Sequence, residues 1–238
     1  MSERTGPEEA PCPRCGTPGS VDTDYCRHCG FELSQHHSRK GDGPRYVVGG
    51  MVGAASFVVG YLLTFVVFSL TERDTYGEYL FEMSGQLYYN AQFVDTNHWF
   101  GDGEGLVRRE ITSYNLLTDN LSNELFLAPL ELSTPAVVYH AIPVAVITTA
   151  ALLLVVRSGI GNPRHGAVTG GSMLFGSVIC AYLGRSLFAI GETPGYVIRP
   201  DLTEGVLFVG VVFPALFGVI GGVIGSQVSD RSPADLWR

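Results

Sequence analysis

Four long apolar runs, 46–70, 136–156, 166–190 and 205–228, punctuate the chain, and almost every charged residue falls between them. A hydrocarbon layer about 30 Å thick needs roughly twenty helical residues to cross, so each run is long enough for one span. The first, second and fourth contain no acidic or basic residue, and only His140 in the second can titrate; the third carries Arg185 near its end. Helices in a water-soluble core would need polar faces that these runs lack. The pattern predicts an all-α membrane protein, a four-helix transmembrane bundle in the lipid bilayer. Because the first run follows a polar, cysteine-bearing stretch, it is expected to act as an uncleaved anchor.

Residues 71–135, between the first two runs, are too many for a structureless connection. Tyr76, Tyr79, Leu80, Met83 and Leu87 recur at helical spacing, with Glu78, Glu82 and Gln86 on the other side. This predicts an amphipathic helix lying on the bundle or at the headgroups, and hence a partly helical outer loop. Residues 93–105 combine Trp99 and Phe100 with a glycine-acid turn. Asp95, Asp102 and Glu104 there offer oxygen ligands, but out of calcium-loop register, so a solvated turn is expected. Asn120 opens an N-glycosylation sequon, Asn-Leu-Ser.

Charge refines the picture. Of a net charge of -8, residues 71–135 alone supply eleven acids against three arginines. With no lysine- or arginine-rich stripe, nucleic-acid binding through phosphate neutralisation has little electrostatic support. Arg39, Lys40 and Arg45 precede the first run, and Arg157 and Arg164 lie between the second and third. The excess of basic residues on short cytoplasmic flanks then places both termini in the cytoplasm and the acidic loop outside a plasma membrane. Lys40 is the only lysine, and acids exceed bases; this bias resembles that of proteins from salt-loving archaea.

The N-terminal 33 residues contain two Cys-x-x-Cys pairs ten residues apart, Cys12 and Cys15, then Cys26 and Cys29, each followed by glycine. Glycine after each pair permits the positive-φ turn that aims amide N–H groups at sulfur. Four thiolates complete a tetrahedral shell closed to water, which predicts a structural Zn2+ ion. Tyr25 and Phe31 are the expected apolar cover, and so small a module must draw its folding energy from the metal. His28, between the second pair, is expected to face away. Residues 12–31 resemble the short CPxCG/CxxCG zinc-ribbon modules that head many prokaryotic membrane proteins of unassigned role. The membrane part resembles uncharacterised four-span haloarchaeal proteins. Residues 34–45 read as a polar tether between ribbon and bundle, its two histidines as solvated linker residues.

Small residues stripe two runs: Gly210, Pro214, Gly218, Gly222 and Ser226, with Gly221 and Gly225 alongside, and Ser172, Gly176, Cys180 and Gly184. Such spacing suits close helix packing within the bundle or in a homo-oligomer; a path lined by exposed backbone is the alternative. His140, Arg185 and Glu204 fall at similar outer depth and form a candidate intramembrane polar cluster, with pinning of helix ends as the plainer role. No HExxH, GxSxG or phosphate-loop motif is present, so no enzymatic activity is expected. The function expected is a membrane-anchored docking or signalling scaffold whose ribbon takes a cytoplasmic protein partner. The alternative is a small-solute or ion transporter working through the polar cluster.

Overall fold

The computed structural model describes residues 9–12, 14–20, 28–29, 46–100, 109–118, 132–191 and 196–229. The chain divides into two units, Met1–Gly43 and Pro44–Arg238. In the first, strands β1 (Glu9–Pro11) and β2 (Pro18–Ser20) pair antiparallel, with Ala10 opposite Gly19.

The second unit begins with α1 (Tyr46–Tyr76). A single 3-10 turn leads into α2 (Leu80–Asn90), which is followed by strands β3 (Thr96–Phe100) and β4 (Arg109–Tyr114). Next come α3 (Ala136–Ser158), α4 (Pro163–Gly171) and α5 (Leu174–Leu187). Strand β5 (Tyr196–Pro200) precedes a one-turn α6 (Leu202–Glu204), a π-helical stretch over Gly205–Val212, and α7 (Phe213–Ser229). Among the described residues, four helical segments are long and apolar enough to cross a membrane: Tyr46–Asp74, Ala136–Ser158, Pro163–Leu187 and Leu202–Ser229. The protein is a largely helical membrane protein built on a four-helix bundle.

Local chemistry sets the span ends. Gly159, at φ 66°, closes α3 with its N–H on Val156 O and that of Ile160 on Val155 O, a left-handed stop that glycine adopts without steric cost. Asn162 Oδ1 accepts from the N–H groups of Arg164 and His165, and Pro163 supplies the first helical residue of α4. The third span is discontinuous at Ser172–Met173, where the Ser172 hydroxyl donates to Thr169 O at 2.6 Å. In the fourth, the π-helical stretch ends just ahead of Pro214, which has no N–H to continue a regular ladder.

The glycine stripes are used inside the chain. A Cβ at Gly166 or Gly170 would collide with the carbonyls of Gly222 and Gly218, and one at Gly221 or Gly225 with those of Thr148 and Leu152. Gly218 and Gly222 thus seat α7 against α4, while Gly221 and Gly225 seat it against α3. Gly53 and Gly176 bring α1 and α5 together in the same way, against Met173 O and Gly50 O. Where no hydrophobic force drives helices together, such backbone contact sets the packing.

Helix α2 corrects the expectation of a surface helix. Residues 83–92 are all buried, among them Asn90, Gln92 and Gln86, the last expected on the polar side. Tyr88 and Tyr89 join Phe57, Tyr61, Ala181, Phe188 and Val209 in one core cluster. Room for the tyrosines comes from glycines on three spans: Gly60 faces Tyr88, and Gly184 and Gly205 face Tyr89. Gly60 is the fifteenth of the 29 residues of the first span, so the Tyr88 ring of α2 reaches the middle of that span. With eleven residues it is too short to cross. It is a re-entrant helix wrapped by the spans.

A three-stranded antiparallel sheet, ordered β4-β3-β5, joins α2 in the loop region. Thr96 lies opposite both Tyr114 and Pro200. The stretch expected to be a solvated turn therefore contains the central strand; Asp102, Glu104 and Asn120 lie outside the described residues. A second core cluster, including Phe68, Leu87, Tyr114, Tyr139 and Ile198, ties sheet and α2 to the spans.

The close backbone approaches make a specific demand. Gly176→Val, whose side chain would meet Gly50 O and the Ala54 N–H, is expected to destabilise the protein by about 1–3 kcal/mol in mixed-micelle unfolding. Gly77→Ala, in open space, should stay within about 0.5 kcal/mol.

Candidate functional site

The cysteine site forms on the turn between β1 and β2. Cys12 N–H donates to Thr17 O, and Gly16 N–H donates back to Cys12 O at 2.8 Å with Gly16 at φ 70°. This knuckle buries Cys12 and leaves Cys15 at the surface. Cys12 Sγ lies 3.7 Å from Cys29 Sγ, and the ligand atoms of Cys12, Cys15 and Cys29 all lie within 4.8 Å of one another. A disulfide would need sulfurs about 2.05 Å apart. Two thiolates on a tetrahedral ion with bonds of about 2.3 Å stand about 3.8 Å apart. The thiols fit a shared metal. Cys26, the fourth expected ligand, lies outside the described residues, as do Tyr25 and Phe31. His28 is exposed and is not one of the three clustered groups. Hydrogen bonding with the Thr17 hydroxyl, 3.3 Å away, and with the Thr17 backbone pushes the Cys15 thiol down to about 6, which favours the thiolate that a metal requires.

The three outer polar residues each engage a different backbone atom. The His140 Nδ1–H donates to Ala91 O at 2.7 Å, at the C-terminal end of α2. Arg185 Nε donates to Pro200 O at 3.1 Å, at the end of β5. Glu204 Oε2 accepts the Asp95 N–H at 2.8 Å, just before β3. They act as three fasteners between the spans and the re-entrant region. Asp201 adds a fourth: its N–H donates to Asp95 O, and its carboxylate accepts from the Glu204 N–H and from Asn97 Nδ2.

Phe93 sits where the first fastener closes. Its φ is 63°, a conformation usually left to glycine, and its ring stacks on His140 with centroids 5.2 Å apart. The Phe93 and Val94 N–H groups reach back to the Asn90 and Tyr89 carbonyls, the pattern of a left-handed helix stop. The left-handed backbone costs about 1–2 kcal/mol, offset by ring contacts to His140 and Phe213.

Sequence reasoning missed the amides that hold α2 and the carboxylate that anchors the second span. Gln86 Nε2 donates to both Phe188 O and Ile198 O, and Asn90 bonds Val94 O, Thr96 Oγ1 and the Leu116 N–H. Buried Glu72 accepts the Ser133 N–H at 2.7 Å. A signal was present: within a strongly acidic loop, residues 83–94 contain no charged residue.

Fold and site together define a four-span integral membrane protein with an N-terminal cysteine cluster able to hold a metal. The chain belongs to DUF7978, a family of unknown function, which matches residues 32–229. That match covers the spans, α2 and the sheet, and it begins beyond Cys29. No curated protein and no solved structure matches the chain.

The sheet supplies a pH prediction. His98 Nε2 is hydrogen-bonded to Tyr114 OH, and burial pushes His98 below its usual 6.5 and the Tyr114 phenol upward. A histidine less basic when folded binds fewer protons than in the unfolded chain, so its contribution is present above 6.5 and is lost as pH falls. The Tm of the purified chain should drop between pH 7.5 and pH 5.5, and His98→Asn should make the drop smaller; equal slopes would contradict this assignment.

Proposed function

We propose that the protein is a membrane-anchored zinc-ribbon protein that acts as a docking or signalling scaffold with no enzymatic activity of its own. The observation that carries this reading is the convergence of Cys12, Cys15 and Cys29 within 4.8 Å. Thiolate donors in a tetrahedral shell suit zinc, and Cys26 completes the set. A closed shell leaves no position for substrate, so the ion is structural and the ribbon surface does the binding. Arg14 and Arg27 are offset by Asp22, Asp24 and Glu32, which favours a protein partner over nucleic acid. The basic flanks put both termini in the cytoplasm of a plasma-membrane protein. The family match beginning at residue 32 supports the view that the ribbon is a module added to a separate membrane unit.

A transport reading draws on the discontinuous third span, the π-helical stretch before Pro214 and the re-entrant α2, features that transporters place around a substrate path. Against it stands the filling of the bundle by Leu87, Tyr88 and Tyr89, each almost fully buried. It is the second choice.

The purified full-length chain should carry one zinc ion by elemental analysis, and Cys12→Ser with Cys15→Ser should abolish it; iron instead of zinc, or retention in the double variant, would contradict the ribbon. In cross-linked membranes the wild-type chain should capture a cytoplasmic protein that the double variant does not. Unchanged capture would remove the docking role, and substrate flux lost in Arg185→Ala proteoliposomes would favour transport.

A further inference from the structure

Where the first span ends and the second begins, two buried polar groups lie within electrostatic reach of each other with no hydrogen bond between them. Glu72, two residues from the end of the first span, is 4% exposed. Among the described residues its carboxylate accepts one hydrogen bond, on Oε1 from the Ser133 N–H at 2.7 Å, and no arginine, lysine or histidine pairs with it. Tyr139, the fourth residue of α3, is fully buried, and its hydroxyl has no hydrogen-bond partner. The Thr71 and Thr134 hydroxyls and the Glu72 carboxylate are the polar groups that act on it. Thr71 donates its own hydrogen to Val67 O at 3.1 Å, which leaves its oxygen lone pairs available.

A buried charge persists when it is paired or when it binds a metal ion. The surroundings of Glu72 supply no pairing side chain: residues 72–82 hold four acids, Glu72, Asp74, Glu78 and Glu82, against Arg73, which is exposed. The start of α3 suits a negative charge but engages only Oε1. A water molecule would satisfy the Tyr139 hydroxyl and leave the charge of Glu72 unbalanced. Oxygen donors without nitrogen or sulfur select a hard cation, and a single carboxylate is too little negative charge for calcium, whose sites gather several.

We propose that the Glu72 carboxylate and the hydroxyls of Tyr139, Thr71 and Thr134 bind a monovalent alkali cation, Na+ or K+. One positive charge balances Glu72, and the same ion takes the oxygen of the orphaned phenol. Tyr139 shares a core cluster with Phe68, one turn before Glu72, and with Leu87 of α2. The ion thus ties the end of α1 to the start of α3 beside the inserted helix. This site stands apart from the ribbon and from its docking role, so either can fail without the other.

Thermal unfolding of the purified full chain in detergent, in sodium, potassium or choline chloride at equal ionic strength, tests it. At least one alkali salt should raise the Tm by about 2–4 °C over choline chloride, saturating with concentration as a binding site does. Glu72→Gln should abolish the difference between the salts. Tyr139→Phe, which keeps the ring packing, and Thr134→Val should each raise the half-saturating concentration about tenfold, the loss of one oxygen ligand. Equal Tm values in the three salts would overturn the site, as would a difference that survives Glu72→Gln. Should Glu72→Gln not fold, an unchanged half-saturating concentration in both Tyr139→Phe and Thr134→Val would overturn it as well. Stabilisation by micromolar calcium chloride beyond that by either alkali salt would overturn the monovalent assignment.

Discussion

A polar backbone group in hydrocarbon has no water to bond, so a helix that ends buried among membrane spans must find all its partners within the protein. Helix α2 imposes that constraint on everything around it. Its C-terminal carbonyls are met by the N–H groups of residues 91–94, the His140 ring bonds Ala91 O just beyond, and its Gln86 amide reaches the end of α5 and the middle of β5. The sheet in turn depends on α2, because Asn90 spans from Thr96 to Leu116. Removing α2 would leave a hole in the bundle and the strands without a base.

The spans are shaped to receive it. Glycines at 60, 184 and 205 open space for two tyrosines, and Tyr89 OH donates to Ala181 O within the third span. Elsewhere Gly166, Gly170, Gly218 and Gly222 draw α4 and α7 into backbone contact. Both stripes read from the sequence are thereby occupied within one chain, and a homo-oligomer would have to use other surfaces. His140, Arg185 and Glu204 fit the same logic: each is a membrane-depth polar group that binds a backbone atom of the inserted region.

The spans and the cysteine knuckle were legible because their signals are local. Twenty uncharged apolar residues, or two cysteines three apart with a glycine behind, mean the same thing wherever the chain puts them. The depth of α2 was not legible in this way. Its spacing of Leu80, Met83 and Leu87 matches a surface helix, and only the lack of charge from 83 to 94 marks its burial. The strands were missed for a related reason. Thr96, Asn97 and His98 look solvated, but they are buried because partners distant in sequence, Tyr114 and Asp201 among them, satisfy them. Similar depth along the spans singled out His140, Arg185 and Glu204; that each binds a separate backbone atom, of Ala91, Pro200 and Asp95, required the fold.

Hydrogen–deuterium exchange on the full chain in lipid nanodiscs addresses the re-entrant helix most directly. Amides of residues 83–91 should exchange as slowly as those at the middle of the first span, because they are sealed from water on all sides. Exchange within seconds across that segment would mean that α2 lies on the surface and that the bundle has a different centre.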